Sequence, residues 1–362
     1  MDVTVIGAGP AGSACATLLH RENPRLSICL LERTQFFEPR PGEVLPSEAL
    51  PLLRRLGYPV RTLLEMGMPC FAVTSSWGKA QTVERHLLFS AAGHGYHIQR
   101  HLFDASLCAH AESCGVFVLR GTQIQDGVRE GEGWNLLLSE GSRLRTRFIV
   151  DATGRACAFA RALGIRRRQL DGLMSYSCYL PAQHAESTTM VEAVPQGWWY
   201  SAPLPSQRCV ISFLTDVDLA RDMSLPAASV WCSLLQQTTH IRRHTDLDPA
   251  TPHIVVRPAN TALLEQPGGE GWLATGDALA SSDPLAAQGM TKALHSGILA
   301  AYAVRDVLDG KGWMAFERYT GIMAQNLESF ARMYKIHYAR EQRWPMSPFW
   351  HRRHESWMQE AI

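Results

Sequence analysis

Six residues near the start of the chain, Gly7-Ala8-Gly9-Pro10-Ala11-Gly12, have the types and spacing of a phosphate cradle. The apolar run Val3–Ile6 feeds directly into them, an apolar helical stretch follows, and a second apolar run, Leu26–Leu31, ends at Glu32. Gly7 permits the tight turn out of a strand, Gly9 lets a pyrophosphate approach the backbone, and Gly12 lets helix pack on strand. The helix N-terminus at Pro10-Ala11 then faces the phosphates. Glu32 stands 20 residues beyond Gly12, with Arg33 beside it. An acid there accepts hydrogen bonds from a ribose 2′-hydroxyl and repels a 2′-phosphate, so the nucleotide expected is FAD or NAD rather than NADP.

Two later segments favour a flavin. Phe148–Gly154 is an apolar strand ending in Asp151 and a small-residue turn, and Trp272–Ala278 repeats that pattern with Asp277. Asp277 is placed to accept bonds from sugar or ribityl hydroxyls. The turn Pro284–Gly289 then aims free helix N–H groups at an electron-rich edge, such as the N1/O2 edge of a reduced isoalloxazine. Gly93-His94-Gly95 lacks a third glycine and precedes Tyr96-His97-Ile98, so no second dinucleotide unit is expected.

The elements that must position these residues follow from periodicity. Helices are expected over Pro46–Leu56, Gln99–Cys114, Ala227–Gln237 and Ala286–Leu308, with a largely helical C-terminus. Phe71–Trp77, Glu84–Phe89, Val116–Leu119, Trp134–Leu138, Arg147–Val150, Leu173–Leu180, Thr188–Ala193, Trp198–Pro203 and Cys209–Thr215 read as strands. The fold class is α/β: a Rossmann-like FAD-binding domain (1–69, 97–165 and 265–312) interleaved with a mainly antiparallel substrate domain (70–96 and 166–264). A helical segment, 313–362, follows.

Composition sets outer limits. At 362 residues and 46% hydrophobic, the chain can bury a large core. Lys and Arg total 35 against 34 Asp and Glu, so no global field draws in nucleic acid or an anionic membrane. The first strand begins at residue 2 and no apolar run reaches the roughly 18 residues a membrane span needs, which points to the cytoplasm. Nine scattered cysteines without a CxxC pair read as buried thiols, and neither disulfide nor metal site is expected. His240 and His244 have helical spacing but no third ligand. Arg166-Arg167-Arg168 reads as a solvated charge run.

Taken together these residues resemble the flavoprotein monooxygenases of the aromatic-hydroxylase fold, in the branch containing the flavin-dependent tryptophan halogenases. Arg100-x-x-Phe103-Asp104 is similar to that family's phosphate-contacting helix, and Arg40-Pro41-Gly42-Glu43-Val44-Leu45-Pro46 to its loop beside the flavin. The halogenases' WxWxIP segment reads here Trp198-Trp199-Tyr200-Ser201-Ala202-Pro203, a departure that speaks against halogenation. Ser76-Trp77-Gly78, Gly95-Tyr96-His97-x-x-Arg100, the Gly197–Pro203 segment and Glu341-x-Arg343-Trp344-Pro345 resemble the flavoprotein maturases of cysteine tryptophylquinone enzymes. These are the partners of lysine and glycine oxidases and of quinohemoprotein amine dehydrogenase.

The resemblance implies an FAD-dependent monooxygenase that oxygenates a tryptophan of a precursor polypeptide of a quinone-cofactor oxidase or dehydrogenase. O2 and an electron donor, NAD(P)H or an external flavin reductase, complete the reaction. A small-molecule hydroxylase or halogenase and a non-catalytic flavin-bearing assembly factor are the alternatives. The catalytic candidates are Glu43, Lys79, His97 and Tyr200. Glu43 is either a proton acceptor with a raised pKa or a local acceptor of backbone N–H groups. Lys79 is either the polarising lysine of the halogenases or a solvated turn residue, and His97 either relays protons or is structural. Trp198 and Tyr200 share one face of a strand, either as pocket lining or as core.

Overall fold

Two large sheets organise the chain, and each follows from its pattern of apolar residues. The structure, a computed structural model, describes residues 1–87, 93–182, 187–245, 252–312 and 314–355. Val3–Ile6, Ile28–Glu32 and Phe148–Asp151 are buried along their whole length, as strands covered on both faces must be. Val3–Ile6 pairs in parallel with Ile28–Glu32 on one side and Phe148–Asp151 on the other. Phe117–Arg120 and Trp272–Ala274 extend the parallel sheet outward, and the short strand Gly268–Gly269 closes one edge in antiparallel sense. The strand order reverses between Val3–Ile6 and Phe148–Asp151, so the crevice at their carboxyl ends is the place this topology offers a ligand.

The first helix, Pro10–Glu22, opens with proline at its first position, where a missing N–H costs nothing. It packs against the helix Gly289–Asp306 through Gly297, where a Cβ would lie 2.2 Å from the carbonyl oxygen of Ala11. Bare backbone at Gly297 therefore sets how close the two helices run.

The second sheet has seven strands, ordered Val255–Pro258, Leu173–Pro181, Arg208–Asp216, Gly197–Leu204, Thr188–Val194, Ala72–Ser76 and Val83–His86. All neighbours are antiparallel except Thr188–Val194 with Ala72–Ser76. Its faces alternate residue by residue. Trp199 stacks on Phe213 at 4.7 Å on one face, beside Trp231, while Trp198 lies on the other under the C-terminal helices. A small sheet of Val44–Leu45, Gly95–Ile98 and Gly67–Cys70 lies beside the large one.

The C-terminal segment forms the long helix Met314–Ala339 and the short helix Pro348–His354. Bidentate Arg353–Asp216 contacts, the shorter at 2.7 Å, fasten it to the large sheet. Among the described residues no helix is long and apolar enough to cross a membrane. All nine cysteines are free thiols, eight of them buried.

Three sequence expectations change in detail. The helix expected from Ala286 begins at Gly289, because Pro284–Ala286 forms a separate short turn capped by Asp283 and Ala287 is left-handed at φ 52°. The Arg166–Arg168 run is not uniformly solvated. Arg167 is half-buried in the strand Arg167–Gln169 and donates to the carbonyl oxygens of Arg155 and Asp277 at 2.6 and 2.9 Å. The strand expected over Glu84–Phe89 ends at His86, and Leu88 and Phe89 fall outside the described residues.

Candidate functional site

The crevice at the head of the parallel sheet is shaped by missing side chains. A Cβ on Gly12 would lie 1.8 Å from the carbonyl oxygen of Gly7, and one on Gly7, at φ 101°, would lie 2.5 Å from that of Ala152. Both glycines are therefore demanded by the fold itself. Gly9 differs: its φ is −70° and nothing lies within 4 Å of a Cβ built there. The chain thus leaves open space directly over the N-terminus of the first helix, whose leading N–H groups at Ala11 and Gly12 have no partner within the helix.

Glu32 closes the far end of this notch. Its buried carboxylate accepts from Ala8 N–H at 3.0 Å and from the Thr34 hydroxyl at 2.7 Å. Arg40 donates to the Thr34 hydroxyl at 2.7 Å and pairs with Asp104 at 3.3 Å, and Arg100 pairs with the same buried Asp104 at 2.7 Å. One carboxylate thereby fixes two guanidinium groups side by side. Arg33, by contrast, is exposed.

On the other side of the crevice lies the loop 283–289. Asp283 is buried, accepts from Leu285 N–H at 2.8 Å and from the Tyr338 hydroxyl at 2.7 Å, and burial pushes its carboxyl up to about 6. The left-handed Ala287 that follows is a non-glycine strain of order 1 kcal/mol, the kind that surrounding structure must hold in place. Pro284 and Gly289 are exposed, and Asp277 is half-buried 3.5 Å from Arg155. Thr291, in the first turn of the helix, carries a buried hydroxyl with no hydrogen-bond partner among the described residues. An orphaned hydroxyl, an open space over Gly9 and a helix N-terminus are what a flavin dinucleotide would satisfy, so these residues fit FAD.

A cleft of about 160 Å³ opens beside Arg40 and Arg100, lined also by Glu43, Gln99, Tyr179 and Arg208. Glu43 is only 4% exposed and accepts from Gly42 N–H and the Tyr179 hydroxyl, each at 3.0 Å. Burial raises its carboxyl above the ordinary range, against the opposing pull of those two donors and of Arg100. Burial holds the Tyr200 phenol well above the usual value, and the nearby Glu43 carboxylate pushes it in the same direction. Both tyrosines stay protonated at neutral pH, as donors that can steady a carboxylate or an oxygen atom.

His97 sits behind this cleft. Its Nε2 lies 2.8 Å from the Thr189 hydroxyl, its Nδ1 is buried without a partner among the described residues, and burial lowers its pKa to about 4. A neutral imidazole between two sheets is a fixed dipole, with no tendency to carry a proton at pH 7.

The remaining candidates lie apart from the cleft. Trp198 is 2% exposed and donates to the Tyr338 hydroxyl at 3.1 Å, inside a cluster with Trp77 and Trp350. Lys79 is exposed in the turn after Ala72–Ser76, where its carbonyl accepts from Ser76. Sequence reasoning did not single out Tyr179 or Thr291. It named Asp104 within the Arg100-x-x-Phe103-Asp104 segment, and the structure adds that this carboxylate pairs with both Arg100, four residues away on one helix face, and Arg40.

The sequence profile of the tryptophan halogenase family matches residues 65–362. LodB of Marinomonas mediterranea, named as an FAD-dependent oxidoreductase, is 31% identical across 98% of this chain and 96% of its own. QhpG, a peptidyl tryptophan dihydroxylase essential for tryptophylquinone cofactor biogenesis, superposes with a TM-score of 0.80 at 25% identity, covering 97% of this chain and 78% of QhpG. The myxobacterial chondrochloren halogenase CndH shares the fold at a TM-score of 0.87 and 23% identity, over 99% of this chain and 88% of CndH.

Proposed function

From its membership of the tryptophan halogenase family, which makes this chain an FAD-dependent oxidoreductase, we propose that its substrate is a tryptophan side chain in a partner polypeptide and that the reaction is oxygenation during tryptophylquinone cofactor formation. The observation that carries the reading is the likeness to QhpG, a peptidyl tryptophan dihydroxylase, over 97% of this chain. The replacement of the second tryptophan of the halogenase segment by Tyr200 supports oxygenation over halogenation.

In this reading FAD is held by the notch of Gly7, Gly9, Pro10, Ala11 and Gly12, by Glu32 at the adenosine end, by Arg40 and Arg100 along its flank, and by Asp277 and the loop Pro284–Gly289 at the ring. Reduced FAD supplies the activation of O2. The chain's own residues orient the indole, exclude water and manage protons. An indole carbon that gains oxygen must lose its ring proton to recover aromaticity, and Glu43 is the acceptor. Burial raises its pKa and so makes it a stronger proton acceptor than an ordinary carboxylate, and the Tyr179 and Gly42 donors hold it in one orientation. Tyr200 does not line the cleft itself; with Val44 and Tyr179 it packs against Ala202, Leu204 and Val210 behind it.

The test is oxygen consumption by the FAD-loaded protein with a chemical or enzymatic reductant, comparing a tryptophylquinone precursor polypeptide with free tryptophan. The proposal expects coupled oxygen use with the polypeptide and only uncoupled peroxide release with the amino acid. Coupled turnover of free tryptophan makes it a small-molecule hydroxylase, and a chlorinated product in the presence of halide makes it a halogenase. Tight polypeptide binding without oxygen use makes it an assembly factor.

A further inference from the structure

Lys292 follows the orphaned Thr291 in the first turn of the helix Gly289–Asp306. Its ammonium donates to the Ser282 hydroxyl at 3.1 Å and lies 3.7 Å above the centre of the buried Phe330 ring on the long C-terminal helix. An ammonium has three donors, and one hydroxyl and one ring face leave its capacity unfilled. Among the described residues no carboxylate oxygen comes within salt-bridge distance of it.

The placement is electrostatically adverse twice over. A helix N-terminus carries partial positive charge, which repels a cation in its first turn. Burial also disfavours the charged form and brings the pKa of Lys292 down to about 8, although Asp277 and Asp283 pull it upward. Hydrophobic packing alone would be served better by leucine or methionine. A cation retained at this point is explained by an anion that arrives with a ligand.

The geometry points to Lys292 as the cation that neutralises the charge FAD acquires on reduction. The inference rests on the placement of the flavin ring at the loop Pro284–Gly289 and is independent of the substrate's identity. Two electrons from a reduced nicotinamide or reduced flavin donor, with one proton from solvent, convert oxidised FAD to its anionic reduced form. One negative charge is thereby added at the pyrimidine side of the ring. Lys292 stays protonated, transfers nothing, and favours the reduced state through space. Helix N–H groups, Thr291 and Lys292 then present one continuous positive edge.

The experiment is a dye-mediated reductive titration of the FAD-loaded full chain at neutral pH. Lys292→Met is expected to weaken binding of reduced relative to oxidised FAD about tenfold, a fall in midpoint potential of about 30 mV for this two-electron couple. Lys292→Arg holds the potential near that of the parent. Lys292→Gln, which keeps a donor for Ser282, shifts it as Lys292→Met does, separating charge from hydrogen bond. Affinity for oxidised FAD changes little in all three. An unchanged potential in both neutral variants overturns the inference. Failure of the underlying ring placement shows itself separately, as normal FAD retention and an unshifted flavin absorption spectrum in Gly289→Trp, a position where nothing lies within 4 Å of a Cβ built there.

Discussion

The two flanks of the helix Gly289–Asp306 are built by opposite means. Toward the first helix the chain uses small residues, and the result is room: nothing within 4 Å of a Cβ on Gly9, and an unpartnered hydroxyl at Thr291. Toward the C-terminal helices it uses its largest residues, and the result is a wall. Phe330, Tyr338, Phe349, Trp350 and Trp198 are all at most 5% exposed and pack as one cluster. Binding space has to be kept open by side chains that are missing, whereas the surface that fixes its position has to be filled. The hydrogen-bond chain Trp198 to Tyr338 to Asp283 ties the filled side to the loop bordering the open one.

The strongest way to break this contrast is to put side chains where room is kept. Gly12→Val should fail to fold, because its Cβ would sit 1.8 Å from a carbonyl oxygen that the sheet holds in place. Gly9→Ala should keep the parent's thermal unfolding midpoint and lose FAD, read from flavin absorbance after gel filtration. The pair separates glycine used for folding from glycine used for binding, and equal behaviour of the two variants would remove that distinction.

Next is the filled side. Trp350→Ala should cost about 3–5 kcal/mol in denaturant unfolding, the usual range for deleting a buried aromatic ring. Its indole also donates to the Val194 carbonyl oxygen at 2.8 Å, which would be left unsatisfied. FAD retention at temperatures where the variant is folded should be unchanged, and joint loss would show that the wall is part of the cofactor site.

Glu43→Gln probes the cleft beside Arg40 and Arg100. Turnover should fall about a hundredfold if the carboxylate takes a proton. Stability gives an independent sign. A carboxyl whose folded pKa is raised contributes stability that is complete below its ordinary value of 4.5 and is lost as pH rises through the raised value. The stability of the parent relative to Glu43→Gln should therefore decline as pH increases across that window, and a flat difference would contradict the burial argument. Tyr200→Ala should impair turnover more than FAD retention. The smallest effect belongs to Tyr338→Phe, at about 1 kcal/mol for the lost hydrogen bonds of a buried hydroxyl.

How far each region is legible in sequence follows from the range of its interactions. The notch is local: strand, Gly7–Gly12, helix and Glu32 lie within one stretch, and their spacing carries the dinucleotide unit and its FAD-or-NAD reading, while the choice of FAD needed the later segments Phe148–Gly154 and Trp272–Gly289. The strands Leu173–Leu180, Trp198–Pro203 and Cys209–Thr215 likewise match the observed elements to within a residue at each end, because alternation is a local signal. Periodicity also places Trp198 and Tyr200 on one face. It carries no information on what that face meets, and the meeting of Trp198 with Tyr338 spans 140 residues.

The Glu43–Tyr179 pair is separated by 136 residues, and Lys292 acquires its meaning only from Phe330 and Ser282. A local trace of Lys292 did exist, as a lone charge between Met290 and Leu294, both of which are buried in the core. Arg167 was misread for the same reason. A run of three arginines resembles a solvated patch until a strand turns the middle one inward.

The central claim is oxygen transfer to a polypeptide, and intact-mass measurement of the recipient tests it most directly. A tryptophylquinone precursor subunit would be produced with and without this protein, then digested to locate any change. The account predicts a gain of oxygen on a single tryptophan only when this protein is present, with the label retained from isotopically enriched O2. An unchanged precursor mass alongside bound, reducible FAD would contradict it.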